Sequence, residues 1–102
     1  MVKSQVKKEE IQLKIKTIKY YFTKEDGMVI IYKVTPSSDA ILDEFYVTSF
    51  DDGTSETVWG IGHMPEKALE DAERKWDLES ETEERKDNPF RQVRQVLEQK
   101  GE

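Results

Sequence analysis

The chain has 102 residues, 35% apolar and 37% charged, which fits one domain with a lean core. It has no cysteine and a single histidine, His63, so disulfides, thiolate zinc sites, a cysteine nucleophile and multi-histidine metal centres are excluded. A net charge of −6 and a pI of about 4.9 set it against nucleic acid as a default partner, because phosphate binding rests on clustered Lys and Arg.

The charge is unevenly distributed. Residues 1–26 carry +3, residues 27–65 and 66–87 carry −5 each, and residues 88–102 carry +1. Eight of the ten aromatic residues lie between Tyr20 and Trp59, so the first two-thirds has the composition of a sheet and the last third that of helices. The longest apolar run, Met28 to Tyr32, is far too short to span a bilayer, and no signal-peptide pattern opens the chain. A soluble, cytoplasmic protein without membrane contact is the expectation.

Ile11-Gln12-Leu13-Lys14-Ile15-Lys16 alternates apolar and polar residues and predicts a strand. The apolar set then changes parity, to Ile18, Tyr20 and Phe22. A β-bulge near Lys16-Thr17 keeps both sets on one side, which is expected to face the core. Glu25-Asp26-Gly27 marks a hairpin turn into a second strand, Met28 to about Val34, and Thr35 to Asp39 reads as a loop. The third strand is expected from Leu42 to Phe50. Asp51-Asp52-Gly53 forms a turn with the glycine left-handed, and the fourth strand runs from about Thr54 to Ile61.

Pro65 opens a helix with Ala68, Leu69, Ala72 and Trp76 on its apolar stripe. Its other side holds Glu70–Arg74 and Asp71–Lys75 as acid-before-base pairs. Residues 79–87 have no apolar face and read either as a solvated helical extension or as a link. Asn88-Pro89 caps and starts a C-terminal helix with Phe90, Val93, Val96 and Leu97 on one side. The expected fold is a single α+β domain over residues 1–102. A four-stranded antiparallel meander occupies about residues 9–62, a helix packs on it over about 65–80, and a short amphipathic helix spans about 89–100.

Trp59-Gly60-Ile61-Gly62-His63-Met64-Pro65 is the most distinctive stretch. It lacks the third glycine of a dinucleotide fingerprint, so the two glycines are read as letting the chain turn closely from sheet to helix. Gly-x-Gly, a proline-acidic helix opening and Ala-Leu-x-x-Ala over residues 59–76 resemble the strand-to-helix corner of HicB-type antitoxins and of double-stranded-RNA-binding-like small phage and prokaryotic proteins. The resemblance implies a sheet with a helix laid across it. Operator binding does not follow from it, and Glu66, Glu70 and Asp71 around Lys67 would repel an RNA backbone at this helix.

No catalytic residue, metal site or cofactor is expected. His63 has no nucleophile or metal-ligand spacing around it, and Asp51-Asp52-Gly53-Thr54 lacks the later ligands of a calcium loop. Aromatics fall on both strand parities, so a single helix leaves one sheet face to be covered by the C-terminal helix, a second copy or a partner. The expected function is therefore non-catalytic protein–protein interaction, with another protein or with itself, in an accessory or inhibitor protein of a phage, plasmid or prokaryotic genome. Tyr21, Tyr32, Tyr46, Trp59, Glu70 and Glu73 are the candidate contact residues, and Phe90, Val93 and Leu97 the candidates for dimer or tail packing. The competing reading is a nucleic-acid module that uses the basic, aromatic-containing N-terminal strand.

Overall fold

Alternating apolar and polar residues build four strands, β1 (Leu13–Phe22), β2 (Met28–Pro36), β3 (Phe45–Asp51) and β4 (Glu56–Gly62), followed by helices α1 (Pro65–Glu79) and α2 (Pro89–Lys100). The computed structural model describes residues 13–24, 27–37, 43–79 and 87–100. The strands form one antiparallel sheet in the order β1-β2-β3-β4, so the expected meander and α+β class are what is found. The expected strand start at residue 9, Leu42 at the head of strand three, the turn residues Glu25 and Asp26, and the stretch 80–86 lie outside the described residues; Asp43 and Glu44, expected within strand three, precede β3, which begins at Phe45. No helix among the described residues is long and apolar enough to cross a membrane.

Several boundaries move, each for a local reason. Thr35 and Pro36 extend β2 instead of starting a loop: Pro36 pairs only with Leu13, because the β3 pairing ends at Val34↔Phe45, so its missing N–H breaks no ladder on that side. β4 begins at Glu56 because Thr54 is held in the turn, where the Asp52 carboxylate accepts from the Thr54 hydroxyl and from the Thr54 and Ser55 amides. Those bonds, the Thr54 hydroxyl first, pull the Asp52 carboxyl down to about 2. Gly53 takes the left-handed φ of 94° that the turn requires. The bulge in β1 falls between Thr17 and Lys19, one residue beyond the expected place.

Both helices lie on one side of the sheet. α1 covers β3 and β4, burying Ala68, Leu69 and Ala72, while α2 buries Phe90 and Val93 against Val29. Tyr21, Phe50, Trp59 and Trp76 pack around this core, with Phe90 about 6 Å from three of their rings. α1 lies close on the sheet because Gly60 and Gly62 have no side chain beneath it. A Cβ on Gly60 would stand 2.1 Å from the Ala68 carbonyl oxygen, and one on Gly62 2.6 Å from the Ala68 nitrogen.

α2 is held beside α1 by one asparagine and one glutamate. Asn88 Oδ1 accepts from the Phe90 and Arg91 amides as an N-cap, while its Nδ2 donates to the Glu73 carbonyl and to Asp77. Arg91 and Arg94, one helical turn apart, both donate to the Glu73 carboxylate. On α1 itself Asp71 takes Lys75 as expected, but Arg74 also bonds Asp71, and Glu70 meets Lys67.

The Arg94 hydrogen bond, aided by Arg91, holds the Glu73 carboxyl below its ordinary 4.5. A carboxyl depressed by folding contributes stability above its unfolded pKa and loses it as pH falls through the folded value. The wild-type chain is therefore expected to lose on the order of 1 kcal/mol more than Glu73→Gln between neutral pH and about pH 3. Urea midpoints of the two proteins at both pH values measure this difference.

Candidate functional site

The register of the sheet defines a second face, opposite the helices, that no described element covers. Leu13, Ile15, Tyr20 and Phe22 on β1 pair with Pro36, Val34, Ile30 and Met28 on β2, all of one parity. The rows continue into β3 and β4. Ile30 meets Ser49 and then Val58, and Tyr32 meets Val47 and then Ile61. The bulge does what the change of parity requires, bringing both apolar sets of β1 onto one side. That side is the open one, and this corrects the expectation that they face the core: Leu13 is 49% exposed, Ile15 62%, Tyr20 56% and Phe22 78%. Val58 (58%) and Ile61 (52%) extend the apolar surface to the far edge.

Two causes produce this surface. β2 is apolar on both parities, with Val29 and Ile31 toward the helices and Ile30 and Val34 toward the open side, all buried. α2, one of the three expected covers for the second face, packs beside α1 instead. The result is an apolar surface that runs across all four strands on the side away from the helices.

Its polar content is small and internally bonded. Tyr32 donates from its hydroxyl to Glu56 Oε2 at 2.6 Å, and the Ser49 hydroxyl donates to the same oxygen. Those two bonds, Ser49 first, lower the Glu56 carboxyl below its ordinary value. Burial and the Glu56 carboxylate push the Tyr32 hydroxyl up to about 12, so it stays a proton donor across the physiological range.

The two outer edges of the sheet are modified. On β4 the Ile61 amide donates to Asp71 Oδ2 from α1, and Trp59 is the extra residue of a register shift opposite Thr48 and Ser49. On β1 the bulge at Thr17/Lys19 interrupts the ladder. Both devices discourage pairing of the edges with another strand.

The residues singled out from sequence do not form one surface. Only Tyr32 lies on the open face. Tyr21, Tyr46 and Trp59 belong to the helix side, where the Trp59 ring lies tilted against Trp76 with centroids 5.1 Å apart and Tyr46 lies between Lys33 and Gly62 in the register. Glu70 is exposed on α1, whereas the Glu73 side chain is mostly covered and holds α2. Phe90 and Val93 are buried in the chain's own core, and Leu97 is partly exposed near the end of α2. Leu13, Ile15, Tyr20, Phe22, Val58 and Ile61, which make up the exposed apolar part of the open face, were not singled out from sequence, although the parity change in β1 was the signal that placed four of them together.

The strand lysines gather on the helix side, in the part α1 and α2 leave open. Lys14, Lys16 and Lys19 project there from β1, and Lys16 stands opposite Lys33, which pairs with Glu44 at 3.4 Å. His63 is exposed in the β4–α1 corner. Among the described residues no group of three or more histidine, aspartate and glutamate side chains is arranged to hold a metal ion.

The class of protein defined here is an α+β domain with one sheet, two helices on one side and an open apolar face on the other. Compared with protein-family models, curated proteins and solved structures, the chain matches none.

Proposed function

We propose that the chain is a non-catalytic protein–protein interaction module whose docking surface is the open sheet face. The observation that carries this reading is the continuous apolar surface from Phe22 and Ile15 on β1 to Val58 and Ile61 on β4, opposite a helix layer that completes the core on the other side. The surface offers large aromatic and branched side chains around a self-satisfied Tyr32–Ser49–Glu56 group, a composition suited to excluding water from a contact. The setting we propose is the cytoplasm, and the role that of an accessory or inhibitor protein of a phage, plasmid or prokaryotic genome, in keeping with the resemblance of residues 59–76.

Affinity capture with the tagged full chain, followed by mass spectrometry, tests this. The same bound polypeptide, a host protein or the untagged chain, is expected with wild type and with Lys16→Glu, and lost with Phe22→Glu. Equal recovery by Phe22→Glu, or no specific polypeptide with wild type, overturns the reading.

The lysines on the uncovered part of the helix side are the one observation favouring a nucleic-acid module. That reading requires a salt-dependent shift with single-stranded RNA or DNA, lost in Lys14→Glu/Lys16→Glu, and it fails if no shift occurs at low salt.

A further inference from the structure

We infer that the occupant of the open sheet face is a second copy of this chain, packed sheet against sheet about a two-fold axis. The inference rests on the reading of that face as a docking surface and adds the identity of the partner. A two-fold contact places the same surface on both sides, so the surface must be complementary to itself in size, charge and polarity.

Size comes first. The exposed parts of Leu13, Ile15, Tyr20, Phe22, Val58 and Ile61 amount to about 600 Å² per chain, so two copies remove roughly 1,200 Å² from water, the lower bound of specific stable interfaces. Complete burial of these six side chains on both copies therefore reaches the smallest area that such interfaces use. Facing sheets lie about 10 Å apart, a gap that side chains such as Phe22 and Tyr20 fill by interdigitation.

Charge comes second. The net charge of −6 opposes self-association only where the charges meet, and on this face they are sparse. The strand lysines project to the helix side, the acidic residues of α1 lie beyond the sheet, and among the described residues the open face carries carboxylates only at Asp51 and Glu56, both in the row at the β3–β4 turn. Among the described residues no charge pattern on this face selects a foreign partner, and none forbids an identical one.

Polarity comes third. Glu56 already accepts hydrogen bonds from Tyr32 and Ser49, so these three polar groups have partners within each chain and need none across the contact. The edges favour the same arrangement. Asp71 occupies the Ile61 amide on β4 and the bulge distorts β1, so association through the faces is open where strand-to-strand extension of the sheet is hindered.

The full 102-residue chain is examined by sedimentation equilibrium across the micromolar range, with light scattering as a second measure of mass. Wild type is expected at twice the 12.0 kDa of one chain. Phe22→Glu and Ile15→Lys, at sites already exposed, are expected at the mass of one chain with unchanged far-UV circular dichroism, and Lys16→Glu on the opposite side is expected to stay dimeric. A wild type that keeps the mass of one chain throughout overturns the inference. So does a dimer that survives Phe22→Glu/Ile15→Lys, which would place the contact elsewhere. A monomeric wild type that still captures a host protein, and loses it with Phe22→Glu, overturns the second copy while leaving the docking-face reading intact.

Discussion

Gly60→Ala is expected to lower the folding stability by about 3 kcal/mol or more, among the larger effects of a single methyl group. The added Cβ would meet backbone, not a flexible side chain: the Ala68 carbonyl oxygen at 2.1 Å and the Ala72 nitrogen at 2.6 Å. Relief requires α1 to lift from β4, and lifting it opens the contacts of Leu69 and Ala72 and separates Trp76 from Trp59. Gly53→Ala is the contrasting case. Gly53 has open space around its Cβ position and is strained only by its φ of 94°, so about 1 kcal/mol is expected there. Urea titrations of both variants, followed by tryptophan fluorescence, measure the difference. Equal costs at the two positions would mean that α1 does not rest on the strand.

The same close approach shows where sequence reasoning reaches and where it stops. Gly-x-Gly before a proline-started helix was legible as a tight strand-to-helix passage, because glycine at two alternate strand positions leaves one side bare. The helix that uses the bare side is marked by its small residues, Ala68 and Ala72, which stand over Gly60 and Gly62. The bulge in β1 was legible to within one residue, since only an inserted residue reconciles Leu13 and Ile15 with Tyr20 and Phe22. Parity states which residues share a side of a sheet. It does not state which side receives the helices, and β2 is apolar on both sides, so the sequence of that strand favours neither.

The location of α2 was not legible for a related reason. Phe90 and Val93 announce an apolar stripe but would serve equally well on either face. Among the contacts that accompany the docking of α2 beside α1 is that of Glu73, which reads in sequence as one more acid on a charged helix and in space accepts from Arg91 and Arg94. A carboxylate between two guanidinium groups from another helix depends on a tertiary meeting that no local spacing encodes. The candidate residues scatter accordingly: aromatics chosen by type fall on both faces, whereas the membership of the open face follows from register.

Phe90→Ala is expected to cost about 4 kcal/mol, a large share of the 5–15 kcal/mol that stabilises a domain of this kind. The ring is fully buried, and Phe50, Trp59 and Trp76 surround it with centroids 5.9 to 6.2 Å away. Truncation leaves a cavity where α2, α1 and the sheet meet, and Phe50 and Trp76 lose an edge-on partner and Trp59 a tilted one. Other α2 contacts to the body include Val93, the Asn88 cap, the bond from the Lys24 amide to Gln92, and the ion pairs of Arg91 and Arg94 with Glu73 and Asp77, which are partly exposed to solvent and weak once the packing beneath them opens. A helix of twelve residues does not persist alone in water, so its detachment is also its unfolding. Far-UV circular dichroism is expected to lose about one short helix before the sheet melts, with tryptophan emission shifting to the red as Trp59 and Trp76 become wetter. Phe90→Leu, which keeps most of the volume, is expected to hold α2 in place at a cost of about 1 kcal/mol. A Phe90→Ala protein with full helical signal and an unshifted denaturant midpoint would show that α2 is held by its polar contacts and not by the ring.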